Sequence, residues 1–164
     1  MILALSRHAH GAVNAVTHAL EDGSLLVFEL VDHPPTDALL AAEVDLDPGV
    51  EWLLRLDRID FPPGGVAYRH THPGPGIRCL VFGRIRIESR GEVHEYGPFE
   101  PWFERGPEPV FAAASRTEPT AFVRGMLVPR EWEGRRTIRY VDPVDEEKPK
   151  LQRATVFFER PVER

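Results

Sequence analysis

Two histidines one residue apart, His70 and His72, lie in the segment Val66-Ala67-Tyr68-Arg69-His70-Thr71-His72. If the segment is extended, residues two apart share a face, so both imidazoles project side by side with Tyr68 next in the row. Two neutral imidazoles so placed can grip one divalent ion from the same side. They serve equally well as polar lining of a metal-free pocket. The bare pattern recurs at His8-Ala9-His10, where nothing frames it. Arg78 alternates with Gly76, Leu80 and Phe82, which share one strand face. A buried arginine must be paired, because an uncompensated charge in an apolar interior is very costly. Its planar fork suits a ligand carboxylate. An internal glutamate such as Glu104, or an outlet to solvent at a rim, would satisfy it too. Tyr68 and Arg78 are therefore the ligand-binding candidates, beside His70 and His72 as the metal candidates.

The elements that must position these residues read as strands. Trp52 to Phe61 alternates, with Leu54, Leu56 and Arg58 on one face and Leu53, Arg55, Asp57, Ile59 and Phe61 on the other. It is bounded by Pro48-Gly49 and Pro62-Pro63-Gly64-Gly65, as a strand would be. Strand-sized pieces follow at Val66 to His72, Arg78 to Phe82, Arg84 to Ser89, Glu92 to Tyr96, Trp102 to Glu104, Val110 to Ala114 and Ala121 to Val128. Turn signals separate them, among them Pro73-Gly74-Pro75-Gly76, Arg90-Gly91 and Gly106-Pro107. Many short strands with regular turns predict an all-β sandwich or barrel. Leu25 to Val31 adds a strand, residues 1 to about 20 read as a short helix or an arm, and residues 36 to 46 as a helical turn or an edge strand. The expected organisation is an arm with leading strands over 1–49, a barrel core over 50–128, and an extension over 129–164 that packs on the barrel or a partner.

Composition excludes several classes. The chain has 164 residues, room for one good core, with 42% apolar and 28% charged residues. A net charge of −6 gives no global attraction to nucleic acid or anionic lipid. No apolar run approaches the ~20 residues of a membrane helix. Met1 to Leu5 is too short for a signal-peptide core, and Cys79 is the one cysteine, which suits a reducing compartment. The cytoplasm is the expected location. Cys79 alternates away from Arg78 and has no histidine partner, so it is read as buried rather than nucleophilic.

The frame around His70 and His72 resembles the first sequence motif of the cupin superfamily. Gly64 takes the place of its opening glycine, His70 and His72 its paired histidines, and Gly83 its closing glycine. The motif's glutamate place falls on Gly76. In the register of the second motif, Glu100 matches an acidic position, whereas Phe99, Arg105, Pro107, Val110 and Ala114 replace its glycine, proline, second glycine, histidine and asparagine. The resemblance spans roughly residues 50 to 128 and implies a double-stranded β-helix, or jelly-roll, barrel. It further implies iron, manganese, zinc or nickel on three histidines and a glutamate, and a homodimer. Only His70 and His72 stand in ligand places here. Glu104 or Glu108 would replace a missing ligand only if that stretch stays extended, against which Pro107 and Pro109 act.

Three functions follow from this. In a metal-dependent enzyme, a dioxygenase or isomerase for example, Arg78 would orient a small, anionic substrate and Tyr68 or a glutamate would move protons. A non-catalytic binding or sensing module would hold the same ligand without metal. A purely structural dimer is the third reading.

Overall fold

A computed structural model describes residues 1–163, and it is built almost wholly of strands. The strands are β1 (Ile2–Ser6), β2 (Asn14–Ala19), β3 (Leu25–Val31), β4 (Leu40–Glu43), β5 (Trp52–Phe61), β6 (Val66–Thr71) and β7 (Gly76–Phe82). They continue as β8 (Ile85–Ser89), β9 (Glu92–Tyr96), β10 (Pro101–Glu104), β11 (Val110–Ala114), β12 (Thr120–Pro129), β13 (Arg139–Tyr140) and β14 (Arg153–Pro161). Two short 3-10 turns, Arg130–Trp132 and Pro143–Glu146, are the helical pieces. Among the described residues, no helix is long and apolar enough to cross a membrane.

These strands form three antiparallel sheets. The N-terminal sheet has the order β2-β3-β1-β4, the middle one β10-β7-β12-β5-β14, and the outer one β13-β6-β11-β8-β9. Both faces of the middle sheet are covered. Leu54, Leu56, Ile77, Cys79 and Val123 pack against Leu3, Leu5 and Phe28 of the N-terminal sheet. Ile59, Phe61, Leu80 and Phe122 pack towards Ile85, Ile87, Val110 and Ala112 of the outer sheet. The Phe28 ring sits directly over Gly125 of β12, where an added Cβ would lie 2.4 Å from it.

Double coverage explains where the chain's periodicity misleads. Residues 1–20 form β1 and β2 rather than a helix or a loose arm. All of β1 after Ile2 is buried, so no polar alternation marks it as a strand. Residues 36–46 contain the edge strand β4. The C-terminal residues supply β13, on the edge of the outer sheet, and β14, which pairs with β5.

Candidate functional site

The middle and outer sheets enclose a cavity of about 390 Å³. That lies within the span of roughly 300–1,000 Å³ usual for small-molecule sites. Two β-bulges decide which side chains reach it. On β6, His70 is opposite Val110 while Ala67 is opposite Ala112, so β6 spends one extra residue between them. The extra residue breaks the alternation, and Ala67, His70 and His72 all line the cavity. The Tyr68 ring does not. It lies half-buried under the Lys148 ammonium, 4.6 Å away, and only its carbonyl serves the site. On β7, Leu80 is opposite Phe122 and Phe82 is opposite Ala121. That bulge keeps Arg78 and Leu80 inside but turns Phe82 out, 39% exposed, against the Arg58 guanidinium.

Across the middle sheet, Asp57, Arg124, Arg78 and Trp102 occupy one row of direct register partners. Adjacent buried arginines repel and persist only with compensating anions. Arg124 has its anion in Asp57, with Nε to Oδ1 at 2.9 Å and Nη2 to Oδ2 at 2.6 Å. Arg78 Nη2 lies 2.7 Å from Glu104 Oε2, and its Nη1 donates to the Gly76 carbonyl at 2.5 Å. The Arg78–Glu104 contact is a close charge pair without an aligned hydrogen bond. Arg55 Nη2 meets Glu159 at 2.8 Å and donates to the Arg135 carbonyl at 2.9 Å. The segment 134–140 contributes to the cavity lining and is tied down by hydrogen bonds. Gly134 N donates to Glu159, and Arg124 Nη2 to Thr137 Oγ1 at 3.4 Å.

The histidines are polarised by backbone. His70 Nδ1 is 2.6 Å from the Tyr68 carbonyl and His72 Nδ1 is 3.3 Å from the Thr137 carbonyl. A carbonyl only accepts, which assigns the proton to Nδ1 of each ring and a lone pair to each Nε2. The two Nε2 atoms are 3.2 Å apart. Arg124 Nη1 donates to His72 Nε2 at 3.3 Å, in keeping with that tautomer. Burial pushes His70 down to about 4 and, with Arg124 adding repulsion, holds His72 well below its ordinary range. Both rings are neutral at pH 7. Burial lowers Arg78 to about 10 against the pull of Glu104, which leaves it charged. At Arg124 burial also opposes the charge, but Asp57 outweighs it and the pKa ends raised.

Two acceptor lone pairs converging at that distance want a cation between them, so the histidine pair fits a divalent metal. Glu104 Oε2 stands 4.0 Å from His72 Nε2. Among the described residues, no cluster of three or more His, Cys, Asp or Glu side chains makes a finished site. Two nitrogens with a carboxylate nearby are a partial set. Glu104 lies on a strand that stays extended to its end, whereas Glu108 sits at the surface, 3.8 Å from Arg90 and 3.9 Å from Arg105. His10 is engaged with Glu29 and Asp37, outside the cavity.

Sequence reasoning overlooked Arg55, Asp57, Arg124 and Thr137. The first two carried a signal, since they share a strand face with Ile59 and Phe61, and a charge there must point into a core or a cavity. Arg124 within Ala121-Phe122-Val123-Arg124-Gly125-Met126-Leu127 carried the same one.

No protein-family model matches the chain, and no curated protein matches it. Solved structures do. The polyketide cyclase RemF from Streptomyces resistomycificus is 22% identical over 54% of this chain and 61% of its own, with a TM-score of 0.43. An RmlC-like cupin from Shewanella frigidimarina is 17% identical over 53% and 83%, with a TM-score of 0.41. The DMSP lyase DddQ from Ruegeria pomeroyi is 14% identical over 86% and 62%, with a TM-score of 0.44. Two facing five-stranded antiparallel sheets, with His70 on β6, His72 just beyond it and a turn at Gly83, match the double-stranded β-helix, or jelly-roll, barrel expected from the sequence motif.

Proposed function

We propose that the barrel binds a small organic anion beside a divalent metal ion held by His70 and His72, with Glu104 as the acidic donor. The observation that carries this reading is the 3.2 Å approach of two Nε2 lone pairs whose rings are fixed by the Tyr68 and Thr137 carbonyls. Backbone acceptors on the far nitrogen are the usual way a protein orients histidine ligands and raises their basicity. When bound, the ion supplies a Lewis acid for a ligand oxygen and suits dioxygenation or isomerisation. Arg78 anchors the ligand's negative group through its guanidinium, and the strap at 134–140 limits access of water. The carboxylates Asp57 and Glu104 keep the arginines charged while the histidines stay neutral, available as ligands rather than as acids.

A second reading is a metal-free binding module. It is favoured by Arg124 Nη1, which already donates to His72 Nε2 at 3.3 Å and so supplies a cation of its own.

Metal analysis of untagged protein separates the two. The first reading expects near-stoichiometric divalent metal in the wild type and its loss in a His70→Ala/His72→Ala double variant. Equal, substoichiometric metal in both proteins overturns it.

A further inference from the structure

We infer that the anion taken by the barrel is an aromatic monocarboxylate, its carboxylate on Arg78 and its ring against the wall formed by Trp102, Phe122 and Phe61. This deepens the reading above and rests on its anion site.

The cavity lining has a polar part, the arginines with His70 and His72, and an apolar part beside it. In the apolar part Trp102 meets Phe122 edge-on, with centroids 5.2 Å apart and planes at 74°, and Phe122 tilts against Phe61 at 6.1 Å. Trp102 is 4% exposed and stacks on Tyr96 at 4.8 Å. Its indole N–H is spent on Glu104 Oε1 at 2.8 Å. Neither phenylalanine nor the neighbouring Ile87, Val110 and Ala112 offers a side-chain donor or acceptor. A hydroxyl group placed against this wall would lose its water partners and find none in exchange. Polyhydroxy acids are thereby disfavoured, while an aromatic ring gains edge-to-face contacts.

The polar part accepts one carboxylate. Arg78 is 1% exposed and lines the cavity as a charged fork, its Nη2 2.7 Å from Glu104 Oε2 in a contact without an aligned hydrogen bond. Arg124 differs, because its Nε, Nη1 and Nη2 all have partners. The orphaned guanidinium donor Arg55 Nε belongs to the residue that ties down the 134–140 segment. Trp102 is the direct register partner of Arg78 across β10 and β7, so the apolar wall adjoins the guanidinium.

Calorimetric titration of the untagged protein with 1-naphthoate, phenylacetate and gluconate tests the assignment, with tryptophan fluorescence as a second readout. Both aromatic acids are expected to bind at least about tenfold tighter than gluconate, which has the same charge. Ala112→Leu, which fills the apolar side without touching a charge, is expected to weaken naphthoate binding by about tenfold or more at unchanged metal content. Arg78→Lys, which keeps the charge and removes the fork, is expected to do the same. Gluconate binding as tightly as naphthoate overturns the inference, as does an unaltered naphthoate affinity in a folded Ala112→Leu protein. Metal at His70/His72 without any binding of the aromatic acids overturns this inference alone. Absence of both overturns the site reading with it.

Discussion

Glu104 on β10 pairs directly with Gly76 on β7, the position where the cupin-like motif would place its glutamate. No ligand side chain fits at 76, because an added Cβ would lie 2.6 Å from Met126 Cβ and 3.0 Å from Arg78 Nη1. A carboxylate from the neighbouring strand stands beside the histidines in its stead, held by Arg78 and by the Trp102 indole. If Glu104 supports the metal, Glu104→Gln should weaken divalent-ion affinity by about 10–100-fold, the range found for groups that tune a ligand set. Competition with a chromogenic chelator measures it. An unchanged affinity would assign Glu104 to Arg78 alone.

Arg124 and Asp57 form a buried bidentate pair. Arg124→Met strands the Asp57 carboxylate in the interior and should cost about 3–5 kcal/mol in urea unfolding. Replacing both partners, Asp57→Leu with Arg124→Met, removes the stranded charge and should recover most of that loss. A double variant no more stable than the single one would show that the pair is needed for more than mutual neutralisation.

Cys79 is fully buried, and burial pushes its thiol up to about 11 from an ordinary 9.0. In the folded protein at pH 8 it should react with an aromatic disulfide reagent far more slowly than in urea, since the thiolate is the reactive form. The folded pKa exceeds the unfolded one, so the unfolded chain loses its proton first. The associated stability is intact below pH 9 and declines as pH rises from 9 towards 11, by at most about 2–3 kcal/mol. Cys79→Ala should flatten that part of the alkaline decline. Rapid labelling of the native protein at pH 8 would contradict the buried placement.

Gly64 and Gly83 both have positive φ, +74° and +80°. Alanine at 64 enters open space and should cost only the left-handed backbone penalty, about 1–2 kcal/mol. Alanine at 83 would place its Cβ 2.4 Å from both the Pro119 carbonyl and Thr120 Oγ1, so its cost should clearly exceed that of Gly64→Ala. Thermal melts of the two variants provide the comparison. Equal melting temperatures would remove Gly83 as a packing requirement.

The sequence by itself determined the strand content and the turns that separate the strands. These are local properties, set by residue type, by the two-residue period and by glycine and proline. Tertiary structure decided the rest. The bulge on β6 turned Tyr68 away and the bulge on β7 turned Phe82 out, and a bulge depends on the partner strand's register, which one strand's pattern does not record. β1 stayed hidden because a strand buried on both faces has no polar period to read. Arg55, Asp57 and Arg124 became site residues only when distant strands, together with the 134–140 strap, were brought around one cavity. A charge inside an apolar strand announces that it needs a partner, but chain folding alone selects which one.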